Sequence, residues 1–208
     1  MPNRRSYMEA PYALTLHHDH AFHILVGGFT QKYSDATIGL CGLEYELLHK
    51  HGLGNGLSDV TYLPWYVNAN DYAKRCYHFG DFRCAKPSKV QVVGYSYGGM
   101  TALNICRAFE NLGVKVDRLC LIDPVKRRSL NPLGWLAAFN RWAELQVPAN
   151  VKHCVWFHQK INWPRSHTVK HDPSTNFTSL DLRLPHSSCD NSSIVRETVT
   201  EQAEDIHK

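Results

Sequence analysis

Several familiar signatures are missing from this chain of 208 residues. No apolar run approaches the roughly 20 residues that a membrane-spanning helix needs, so stable membrane insertion is not expected. The twin arginine of "MPNRRSYMEAPYALTLHHDH" has no apolar segment behind it, which argues against a secretion signal. Seven cysteines are an odd number, scattered and without a CxxC pair. That pattern fits reduced thiols in a cytoplasmic protein better than a disulfide framework. There is no phosphate loop and no dinucleotide fingerprint, so no cofactor is implied. There is also no long block of one charge. The net charge is +4, and the densest basic cluster, "KRR" at 126–128, reads as a solvated loop rather than a nucleic-acid surface. Internal repeats and low-complexity segments are absent too. The expectation is one domain over 1–208, with 1–19 as an N-terminal extension.

What the chain does have is an alternation of short apolar runs with longer amphipathic ones. "HAFHILVGGF" (20–29), "DVTYLPW" (59–65), "KVQVVGYS" (89–96), "VDRLCLIDPV" (116–125) and "VKHCVWFHQ" (151–159) predict strands. "SLDLRL" (179–184) alternates as a short further strand, and "YALTL" (12–16) offers at most a short edge strand. Helices are expected over 35–52, 68–79, 97–113, 131–145 and 192–206, the first with Gly52 as its stop and the third ended by Gly113. The stretch 160–178, rich in His, Pro and Ser, reads as irregular. Strand–helix alternation of this kind implies an α/β fold, with a mostly parallel sheet flanked by helices on both faces.

One stretch carries chemistry. Gly94-Tyr95-Ser96-Tyr97-Gly98 is a G-x-S-x-G placed between a strand and a helix, the context in which that motif holds a nucleophile. A strand that turns at once into a helix strains its corner residue, and flanking glycines let the two elements approach without Cβ clashes. The corner side chain then stands at the carboxyl end of the sheet, under a helix N-terminus that favours developing negative charge. Taken alone, the motif would also fit a glycine-rich turn.

With that context the chain resembles the α/β-hydrolase superfamily from about Phe22 to Ile206. The resemblance implies a nucleophile, acid and histidine in that chain order, each after a strand, and an oxyanion loop after an earlier strand. The nucleophile it implies is Ser96. Asp123, directly after "LCLI", matches the acid in the position that the thioesterase-type members use. Beside Pro124 it also reads as a turn cap. His186 matches the histidine between the last strand and the last helix, with His167 and His171 as runners-up. The oxyanion donors implied are the backbone N–H groups of Tyr97 and of Phe29, with Thr30 second to Phe29, although Gly27-Gly28 could simply make a turn. Gly28, Thr30, Tyr95, Trp135 and Trp163 are the expected substrate-lining residues.

The chain departs from the full family pattern at its N-terminus, so a reduced sheet of five or six strands is expected. The segment 126–150 is a candidate lid or cover. Its Trp135, Leu136, Phe139 and Trp142 could line an acyl pocket or pack the helix onto the sheet. "HHDH" (17–20) groups four potential metal ligands but lacks helical i, i+4 geometry or a Cys partner, so no metal site is expected. The resemblance implies a serine hydrolase acting on a small acyl ester, or alternatively an acyl thioesterase. The reading from another class is a non-catalytic hydrolase scaffold used for binding. Oligomeric state has no signature in the sequence.

Overall fold

The computed structural model describes residues 20–29, 31, 39–54, 58–82, 88–126 and 143–207. In chain order these form β1 (Ala21–Val26), α1 (Gly39–His49), β2 (Ser58–Leu63), α2 (Ala69–Phe82), β3 (Lys89–Tyr95) and α3 (Tyr97–Asn111). There follow β4 (Val116–Ile122), β5 (Glu144–Gln146), β6 (Val151–His158), β7 (Thr168–Lys170), β8 (Asn176–Asp181), a 3₁₀ turn (His186–Asn191) and α4 (Ser193–Ile206).

Six strands make one sheet in the order β2-β1-β3-β4-β6-β8, every neighbouring pair parallel. From β1 the chain steps outward to β2, returns to the far side of β1 as β3, and then advances to β8. The order therefore reverses at the β1/β3 boundary, and parallel sheets open a ligand crevice beyond the carboxyl ends of the strands at such a point.

The apolar runs are strands because both of their faces are covered. Along β1 and β3 alternate side chains enter two separate cores. Ile24 and Val92 pack with Leu103, Ile105 and Phe109 of α3 and Ala73 of α2. Leu25 and Val93 pack with Leu40, Leu43 and Leu47 of α1 and Val195, Val199 and Ala203 of α4. The central polar residue of β3, Gln91, is fully buried and has its partners. Its amide oxygen accepts from His23 Nδ1 at 2.8 Å and its Nε2 donates to the Val199 carbonyl at 2.9 Å.

Two expectations change. The strand expected at 179–184 is β8, which starts at Asn176 and stops at Asp181; Leu182 then turns inward and its N–H bonds the His158 carbonyl at 2.7 Å. The end of the expected helix 131–145 is strand instead. Glu144–Gln146 pairs in parallel with Thr168–Lys170, inside the stretch expected to be irregular, as a separate two-stranded sheet. Each of these strands buries a single side chain, Leu145 or Val169, which is too little to leave a readable period. The N-terminal extension, "YALTL", Thr30, and residues 127–142 of the candidate lid with Trp135 lie outside the described residues.

Candidate active site

β3 ends at Tyr95 and α3 begins at Tyr97, leaving Ser96 alone to make the turn at φ 54° and ψ −123°. Few residues other than glycine hold a positive φ, and here the surroundings over-determine it. Ser96 N–H donates to the Ile122 carbonyl at 3.0 Å, and its own carbonyl accepts from Gly99 and Val125 at 3.0 and 2.9 Å. The neighbouring glycines leave no room for alternatives. A Cβ on Gly98 would lie 2.3 Å from the Val26 carbonyl oxygen, and one on Gly94 would lie 2.6 Å from Ala102 Cβ. Ser96 occupies the N-cap of α3, yet its hydroxyl makes no capping bond to the helix.

That hydroxyl lies 2.9 Å from His186 Nε2. On the far side of the ring, Nδ1 donates to Oδ2 of Asp123, which is fully buried just after β4. The three side chains from three loops thus form one hydrogen-bonded line at the carboxyl edge of the sheet. His186 and Asp123 are both braced. The His186 N–H donates to Asn162 Oδ1 at 2.8 Å, and its carbonyl accepts from the Tyr95 hydroxyl at 2.7 Å. Tyr95 also stacks on the imidazole at 5.2 Å and 27°. Asp123 accepts from the Gln159 backbone N–H at 3.3 Å and from Gln159 Nε2 at 3.0 Å. Gln159 in turn folds its loop around itself, its Oε1 accepting from the N–H groups of Ile161 and Asn162 at 2.7 and 3.0 Å.

The loop after β1 presses against the same serine. A Cβ on Gly28 would lie 3.2 Å from Ser96 Cβ and 2.9 Å from Tyr95 Cδ1, so a side chain at that position would displace the elbow. Phe29 follows, 40% exposed, with its ring edge-on to Tyr97 at 5.7 Å and 5.6 Å from Trp65.

No protein-family model matches the chain, and no curated protein matches it. Among solved structures, an esterase from Pyrobaculum calidifontis superposes with a TM-score of 0.54 at 13% identity, covering 90% of this chain and 75% of that one. A mutant of the esterase E40 superposes at 0.52 with 10% identity, covering 91% and 77%. The chain has the α/β-hydrolase fold.

Within that fold, Ser96, Asp123 and His186 stand together, Tyr97 follows the serine in the chain, Gly28 lies against it, and Phe29 lies against Tyr97. Tyr95 was expected to line the substrate. It is instead buried beneath His186, and burial pushes its phenol up, so it supports the ring rather than facing an open site. Trp163 is exposed in the loop that Gln159 braces. The runner-up histidines sit elsewhere. His167 N–H donates to the Pro124 carbonyl at 2.9 Å and its Nδ1 accepts from the Lys126 N–H at 3.1 Å, buttressing the Asp123 loop. His171 stacks on Phe177 at 4.3 Å.

The sequence reading missed Gln159, Asn162, Asp190, Gln31 and Trp65. Position at the end of a strand could have raised Gln159 and Trp65, but an amide gives no hint of which carboxylate it will meet. Among the described residues, no three His, Cys, Asp or Glu side chains converge to hold a metal ion. His20, the described member of "HHDH", bonds Asp59 at 2.8 Å. The described cysteines are all buried, and burial pushes Cys76 up to about 11 and Cys189 up to about 12, which keeps both as thiols at neutral pH.

Proposed function

We propose that this protein is a serine hydrolase that cleaves carboxylic esters through an acyl-enzyme. The observation that carries the reading is the unbroken hydrogen-bonded line Ser96–His186–Asp123 at a strained strand–helix corner. As Ser96 Oγ attacks the ester carbonyl, its proton passes to His186 Nε2. Asp123 holds the ring with Nδ1 protonated and stabilises the imidazolium. The N–H groups of Tyr97 and Phe29 receive the oxyanion, aided by the N-terminal end of α3. His186 then protonates the departing alcohol. A water, deprotonated by the same nitrogen, releases the acid and restores Ser96. Phe29, Trp65 and Tyr66, which is 68% exposed, offer an apolar aromatic shelf beside Tyr97, suited to an uncharged apolar substituent.

Thioester cleavage is the second reading. It is favoured by the place of Asp123 after β4, the arrangement of the thioesterase-type members of the superfamily. Turnover of p-nitrophenyl esters and of acyl thioesters of graded length tests both readings. Ester turnover that falls at least roughly 10⁴-fold in Ser96→Ala is the expected result. Preferential thioester turnover would transfer the proposal to the second reading. No turnover of either class by the folded protein would leave the scaffold as a binding protein.

A further inference from the structure

Asp190 is a buried carboxylate, 1% exposed, that the Ser96–His186–Asp123 line does not use. It stands on the 3₁₀ turn that begins at His186 and reaches across to the loop after β1. Gln31 Nε2 donates to Asp190 Oδ2. Because the carboxylate takes the amide nitrogen, the amide oxygen must face the other way, and it accepts the Gly28 N–H at 2.9 Å. The Gln31 N–H closes the turn on the Gly28 carbonyl at 3.3 Å. The next residue of the 3₁₀ turn clamps the opposite end of the same connection, Asn191 Oδ1 accepting the Gly39 N–H at 2.8 Å. The site is built around a glycine. A Cβ on Gly39, at φ +59°, would lie 2.2 Å from Asp190 Oδ2 and 2.4 Å from Gln31 Nε2.

Gly28, held by this amide, is the residue that abuts Ser96, and the Phe29 amide comes next. The Gly28 N–H is engaged by Gln31, and the Phe29 N–H is the oxyanion donor proposed above. We propose that Gln31 and Asp190 are positioning residues, a strut that sets the oxyanion turn and the histidine turn in one register against Ser96. The strut rests on the hydrolase reading above and goes beyond it. It makes the rate depend on a carboxylate and an amide that touch neither substrate nor the reacting atoms.

The test exploits polarity. Gln31→Ala removes the strut, and Gln31→Glu sets two carboxyl groups against each other. Each is expected to lower kcat on an ester by roughly 10–100-fold with KM little changed, somewhat less than the loss of an oxyanion donor itself. Adding Asp190→Asn to Gln31→Glu restores a donor facing an acceptor at both ends and should return kcat to within about threefold of wild type. Thermal melts confirm that each variant is folded. Wild-type kcat in both Gln31 variants would overturn the strut alone, as would failure of the paired substitution to rescue Gln31→Glu. Absence of turnover in the wild type would instead overturn the hydrolase reading, and the strut with it.

Discussion

His23 and Asp190 are both buried, and burial moves their protons in opposite directions. His23 donates from Nδ1 to Gln91 and faces His207 Nε2 at 3.0 Å from its own Nε2, so protonation would set two donors against each other. Desolvation, with His207 and His20 nearby, lowers it from 6.5 to about 4. The unfolded chain therefore binds that proton more readily. The stability held by neutral His23 is complete above pH 6.5 and is lost as pH falls toward 4, by roughly 3 kcal/mol. Desolvation raises Asp190 from 3.8 to about 6, against the opposing pull of Gln31, His186 and Arg196. Here the folded state binds the proton more readily, so stability is present below about pH 4 and is lost as pH rises through 6, again by roughly 3 kcal/mol. Relative to wild type, Asp190→Asn should gain stability as pH rises from 4 to 7, and His23→Gln should gain it as pH falls from 6.5 to 4. Urea unfolding across that range checks both, and a pH-independent difference for either variant would contradict the assignment. At this scale Ser96, Asp123 and His186, which the structure brings into hydrogen-bonding contact, could be picked out because each is a residue type that a serine-hydrolase reading requires and each follows an expected strand. Gln159 and Asp190 were not. An amide or an extra carboxylate acquires its meaning only from partners distant in sequence, as Asp190 does from Gln31.

The strands that read most plainly are those of the central sheet, covered on both faces. β1, β3 and β4 announce themselves as apolar runs because helices cover both faces of the central sheet. β8 lies at the sheet edge with its side chains mostly exposed, so the alternation over 179–184 gave its presence but not its bounds, whereas β5 and β7 bury one residue each and left hydrophobic period nothing to act on. The contact between α3 and β1 sets the distance from the Ser96 corner to the loop after β1, and it is as close as backbone allows. In Gly98→Ala the new Cβ would meet the carbonyl oxygens of Val26 and Gly27 at 2.3 and 2.5 Å, so the helix must move. We expect a loss of roughly 1–3 kcal/mol, read as a melting temperature lower by several degrees, together with a reduced kcat. Gly52→Asn is the control. It has φ +64° and nothing within 4 Å, and asparagine tolerates that conformation, so it should melt close to wild type. A Gly98→Ala protein as stable as wild type would mean that the α3–β1 packing is not the tight joint described.

At the scale of the whole molecule, three loops that start from β3, from β4 and after β8 converge on the carboxyl edge of the sheet. A fourth joins them from β1, on the other side of the point where the strand order reverses. The fold class followed from strand–helix alternation alone, and six strands fall within the expected number. The shape of the substrate site did not follow, since it depends on loops whose residues pack against one another rather than on a periodic core. Among the described residues no helix is long and apolar enough to cross a membrane. This assembly is expected to make Ser96 an activated nucleophile. A fluorescent fluorophosphonate, applied to the folded wild type and to Ser96→Ala and followed by peptide mass mapping, tests it most directly. A single adduct, on Ser96, in the wild type alone is the expected result. No adduct on folded wild type, or equal labelling of both proteins, would contradict it.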